Sequence, residues 1–138
     1  MKTSIKILII SLALGGVAFY SGSLFWPPSA EFSPDNTQKL MLNAVYMLEA
    51  LLFGLGIALF YYGWPLIKRL NNNRAKSMLA FVSLCWLLVS WYPHDLAHVH
   101  NGFSMKGLVV IEYSFHLTVI IATLLILNYI YAAANSRK

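Results

Sequence analysis

The chain has 138 residues, 59% of them hydrophobic and only 11% charged, with a formal net charge of +5. A soluble domain carries about 25% charged residues, so the composition excludes that class. The basic residues flank apolar blocks rather than striping a polar surface, which excludes nucleic acid as the partner that the positive charge serves. The single cysteine, Cys85, sits inside an apolar block with no CxxC partner, and reads as a small buried hydrophobe.

Four apolar blocks follow one another, at about residues 5–21, 40–67, 75–92 and 107–132. Crossing ~30 Å of hydrocarbon takes ~20 helical residues, so the chain reads as one all-α domain, an integral membrane four-helix bundle with four transmembrane spans. No strand alternation and no internal repeat competes with this. The first block, with Lys2 and Lys6 ahead of it, has the form of an uncleaved helix continuing through "SLFW"; a secretory signal peptide is the alternative.

The connections are short and polar. Residues 22–39 hold Pro27, Pro28 and Pro34 and read as an extended loop, with Asp35 or Asn36 at the cap of the second span. Trp64 and Pro65 lead into the basic turn 68–76, where Asn71, Asn72 and Asn73 make the bend. Lys2, Lys6, Lys68, Arg69, Arg74, Lys76, Arg137 and Lys138 fall on one side of this arrangement, and only Lys39 and Lys106 on the other. The asymmetry predicts both termini inside, in a bacterial cytoplasmic (inner) membrane, and the loops at 22–39 and 93–106 on the periplasmic side. Trp26, Trp91, Tyr92 and Tyr113 then fall at the outer interface, where aromatic rings are favoured.

The segment "WYPHDLAHVHNG" holds three of the four histidines. Pro93 is expected to end the third span and open a short helical turn closed by Asn101-Gly102. His94 and His98, at i and i+4, share a face of that turn, with Asp95 beside them. In the fourth span Glu112 and His116 are also an i, i+4 pair. In the second, Asn43, Tyr46 and Glu49 form a polar stripe that reaches a similar depth. Ionisable groups inside a span cost ~2.5–3.5 kcal/mol each on insertion scales, so they mark a functional site, and the three segments are expected to converge.

Imidazole with carboxylate suits a transition metal: Zn, Fe, Mn or Cu(II). The expected ligands are His94, His98, Glu112 and His116. Asp95 is expected to orient a ligand histidine, with Glu49 and His100 as alternative ligands or outer partners and Asn43 and Tyr46 near the site. Two ions are conceivable, since six groups exceed the needs of one tetrahedral ion. "HDLAH" resembles the H-E-x-x-H motif of zinc metalloproteases over five residues, with Asp95 at the general-base position; the resemblance implies His94 and His98 as zinc ligands.

Two other readings stand beside this one. A b-type haem between His98 and His116 would need room, which Gly54 and Gly56 or Gly15 and Gly16 offer. Alternatively, the polar residues form a structural or proton-conducting network in an accessory or assembly subunit of a larger membrane complex. The partners expected are the lipid bilayer and other membrane-protein subunits. The sequence assigns no reaction.

Overall fold

The computed structural model describes residues 2–69, 73–102 and 105–135. The described chain is helical: α1 (Thr3–Phe25), α2 (Asn36–Tyr62), a single turn α3 (Trp64–Ile67), α4 (Arg74–Asn101) and α5 (Met105–Asn135). Four of these are long and apolar enough to cross a membrane. Asn71, Asn72, Arg137 and Lys138 lie outside the described residues, as does the side chain of Lys106.

Local chemistry sets the helix ends. The Asp35 side chain accepts from the Gln38 backbone N–H, and the Gln38 side chain accepts from the Asp35 N–H, a reciprocal capping box that starts α2. Asn73 caps α4 by accepting from the Lys76 N–H at 3.0 Å. Gly102 ends α4 at φ +57°, a conformation that favours glycine, with its N–H on the His98 carbonyl. The apolar run at 40–67 is interrupted at Gly63, ahead of Pro65, so its last residues form α3 rather than an extension of α2.

Pro93 does not open a new helix. It lies within α4, which runs unbroken from Arg74 to Asn101. A proline here removes one backbone bond, the one to the Val89 carbonyl. The helix is held on both sides of it by the buried residues Tyr92 and His94. Helical phase therefore carries straight through the histidine segment, and this positions the site.

Neighbouring long helices run antiparallel, with α1 against α2, α2 against α4, and α4 against α5. Small residues let α1 and α2 approach closely: a Cβ on Gly15 would lie 2.9 Å from the Ala50 carbonyl oxygen, and one on Gly54 would be 2.6 Å from the Gly15 nitrogen. Gly56 meets Val89, Leu88 and Cys85 of α4 in the same way. Cys85 is buried there, as a small hydrophobe. Phe60 stacks on Phe81 at 6.3 Å. Trp86 donates to the Thr118 hydroxyl between α4 and α5, and the Tyr129 hydroxyl donates to the Ile67 carbonyl at the far end. No comparable packing joins α5 to α1 or α2 among the described residues, so α5 is held along α4. Leu117, Ile120, Leu124 and Ile130 are left exposed on α5.

Tyr92 is not an interfacial ring. It is buried, and its hydroxyl donates to the Ala18 carbonyl at 2.6 Å, packed against Gly22 where any side chain would clash. The loop after α1 is docked on the last turn of α4. The Ser29 N–H donates to the Val99 carbonyl at 3.0 Å, and His100 Nδ1 donates to the Pro27 carbonyl at 2.8 Å.

Candidate metal centre

Because α4 is continuous, its residues divide by phase at 100° per residue. Tyr92, Leu96 and Val99 share the face toward α1 and α2. His94 and His98 share the face toward α5. Asp95 is turned by about one residue's rotation from His94 and reaches α2.

On the α5 side, His94, His98 and Glu112 form a group whose ligand atoms all lie within 4.8 Å of one another. His94 Nε2 and His98 Nε2 are 3.2 Å apart. His94 Nε2 is 3.7 Å from Glu112 Oε1, and His98 Nε2 is in direct contact with the same oxygen. Ligand atoms ~2.0–2.1 Å from a tetrahedral ion lie about 3.3–3.4 Å apart, so the first two spacings are close to coordination and the His98–Glu112 contact would have to open by about an ångström around an ion. Two imidazole nitrogens aimed at one carboxylate oxygen place three lone-pair donors around one point. A cation there satisfies all three, whereas a single hydrogen bonds only two of them well.

Packing holds this geometry. The His94 side chain is 7% exposed, and its ring lies flat on Phe115, with centroids 3.7 Å apart and planes at 10°. Trp91 meets Phe115 edge-on at 4.9 Å. His94 Nδ1 is buried without a hydrogen-bond partner, so the ring is oriented by the stacking on Phe115 and by the contact of its Nε2 with His98. Sequence reasoning missed Phe115. Its signal was present: it stands at i+3 from Glu112, on the face that carries Glu112 and His116. His98 and Glu112 are about one-third exposed, which leaves the group open on one side.

His116 is near but outside the group. Its Nδ1 is 2.8 Å from the main-chain carbonyl of Glu112 and 3.1 Å from Oε2 of the same residue. A nitrogen facing two oxygens carries the hydrogen, so His116 donates to Glu112 and its Nε2 lone pair is left on the exposed side of the ring. This is the geometry of a residue that orients a ligand.

Asp95, expected to do that orienting, does not adjoin the ligand nitrogens. Its side chain hydrogen-bonds Glu49 across the α2–α4 seam. Glu49 is 8% exposed, and its Oε2 has no partner. Tyr46 lies within electrostatic range of both acids, and Asn43, one turn earlier, is exposed. The titratable residues thus form two groups on two sides of α4, not the single convergence expected. The likeness to H-E-x-x-H gains no support here, since Asp95 is engaged by Glu49 and is not among the residues whose ligand atoms converge. His100 is also turned away, onto Pro27. Of the glycines that would make room for a macrocycle, Gly15, Gly54 and Gly56 are closed by helix packing, whereas Gly16 has open space beside it.

Neither a family model, nor a curated protein, nor a solved structure matches this chain.

Proposed function

We propose that the chain is a small multi-pass protein of a bacterial cytoplasmic membrane that binds one transition-metal ion in the outer half of the bilayer, on the periplasmic side. His94 Nε2, His98 Nε2 and Glu112 Oε1 are the ligands. The Nδ1–H of His116 holds Glu112 through its other oxygen, and Phe115 sets the plane of His94. The observation that carries this reading is the convergence of two Nε2 atoms, 3.2 Å apart, on one carboxylate oxygen. The donor set suits Zn, Fe, Mn or Cu(II), and three protein ligands leave a coordination position open. The side assignment rests on eight of the ten basic residues flanking the other helix ends.

The test is elemental analysis of protein purified without added metal, with an optical spectrum. One equivalent of a transition metal with no Soret band is the expected result. Protein that folds fully and takes up no metal on titration would overturn it. An accessory-subunit role would then be favoured by the free surface of α5, which packs along α4 alone among the long helices.

A further inference from the structure

A cavity of about 460 Å³ lies on the opposite side of α4 from the histidine group, beneath the loop that follows α1. Its size falls within the ~300–1,000 Å³ of small-molecule sites. It is about half open, and its roof is pinned: Ser29 to Val99, His100 to Pro27, and the Phe32 N–H to the Ser29 carbonyl at 3.0 Å. Phe19, Trp26, Phe32 and Leu96 make an apolar wall. Ser23, Lys39, Asn43 and Tyr46 supply polar groups.

The charge on this lining is one-sided. Lys39 is its one cation, and no carboxylate lines it. Lys39 also makes no salt bridge among the described residues. The nearest acids are Asp35, one turn before Lys39 at the cap of α2, and Glu31 in the roof loop, and neither lines the cavity. Glu49 is ten residues farther along α2, about 15 Å by helical rise. Lys39 is exposed in the first turn of α2, at the edge of an aromatic cavity whose lining offers it no carboxylate, so an anionic group seated in the cavity meets a cation there. The apolar wall beside it calls for a ligand with a hydrocarbon body.

We infer that this cavity binds an anionic phospholipid, with its phosphate on Lys39 and Asn43 and the start of its hydrophobic body against Trp26 and Phe32. Free phosphate satisfies the lysine but gains nothing from the wall. A zwitterionic lipid satisfies the wall but brings its own cation to the phosphate. The inference does not depend on metal binding, which uses the other face of α4.

Native mass spectrometry of the full chain, extracted from vesicles holding equal amounts of phosphatidylglycerol and phosphatidylcholine, tests it. The expected result is one retained phosphatidylglycerol per chain. Lys39→Gln should lower the preference about fivefold, the scale of one lysine near an anionic lipid surface. Lys39→Arg should keep the preference. Lys2→Gln, the same charge change at the opposite end of α1, should leave it intact. Asn43→Leu, which keeps the charge, should weaken retention and serves if Lys39→Gln fails to fold. Equal retention of both lipids, an equal effect of Lys2→Gln and Lys39→Gln, or displacement of the lipid by inorganic phosphate would each overturn the inference.

Discussion

His116 grips Glu112 at two points, its Nδ1 lying 2.8 Å from the main-chain carbonyl and 3.1 Å from Oε2. The contact fixes which carboxylate oxygen remains free: Oε1, which faces His94 and His98. Removing a ligand and removing this clamp should therefore differ. His98→Ala and Glu112→Ala should abolish stoichiometric metal. His116→Ala should weaken affinity about 10–100-fold, as for other residues that orient a ligand, and still reach full occupancy at high metal. Affinity should fall in every variant that binds as pH falls, because protons compete for the imidazole nitrogens. Isothermal titration on folded variants measures this. Full affinity in both His98→Ala and Glu112→Ala would remove the site.

The Glu49–Asp95 pair predicts the opposite pattern. It ties α2 to α4 away from the metal group, so Glu49→Ala should cost about 1–3 kcal/mol of stability by stranding Asp95. Glu49→Gln, whose amide can donate to Asp95, should cost less. Metal stoichiometry should be unchanged in both. Thermal unfolding together with metal content checks this. A Glu49→Ala protein of unchanged stability that has lost its metal would reassign Glu49 as a ligand.

The difference between these two groups explains what the sequence could and could not show. The four long helices were legible because apolar blocks of sufficient length have few other folds, and the i, i+4 spacing of His94 with His98 correctly put both on one face. Pro93 reads in the sequence as the opening of a new turn, but it costs one backbone bond inside a helix packed on both sides and does not break it. The i, i+3 spacing of Asp95 to His98 groups it with the histidines. That spacing leaves it between the face toward α5 and the face toward α2, and its partner Glu49 lies on α2. Which nitrogen of His116 faces Glu112 depends on a ring rotamer, and the stacking of Phe115 on His94 depends on how α4 meets α5. Neither is encoded in spacing.

Phe115 lies flat against the His94 ring, whose Nδ1 has no hydrogen-bond partner. An aromatic contact is worth about 0.5–1.5 kcal/mol beyond its buried area. Phe115→Leu, which keeps most of the volume, should weaken metal affinity about 2- to 10-fold while leaving one ion per chain at saturation. Phe115→Tyr should bind nearly as the native protein does. An unchanged affinity in Phe115→Leu would show that other contacts suffice to hold His94.

The remaining prediction concerns the side of the membrane on which the site opens. The loop from Trp26 to Asp35 is docked on the end of α4 that carries the histidines, so a label on this loop reports the side of the site. The opposite ends of the same helices carry Lys2, Lys6, Lys68, Arg69, Arg74 and Lys76, and such clusters are retained in the cytoplasm. Cys85 is buried and can be replaced by alanine to give a background without thiols. In that background, Ser33→Cys should react with a membrane-impermeant maleimide added to intact spheroplasts, and Ala75→Cys should react only after permeabilisation. Both positions are exposed, so access to the thiol is not limited by packing. The reverse pattern would place the histidine group on the cytoplasmic side, where the ion would be drawn from the metal pool of the cell interior instead of the periplasm. Labelling of both positions in intact spheroplasts would mean that the chain does not hold one orientation, and the basic residues would then not be setting its topology.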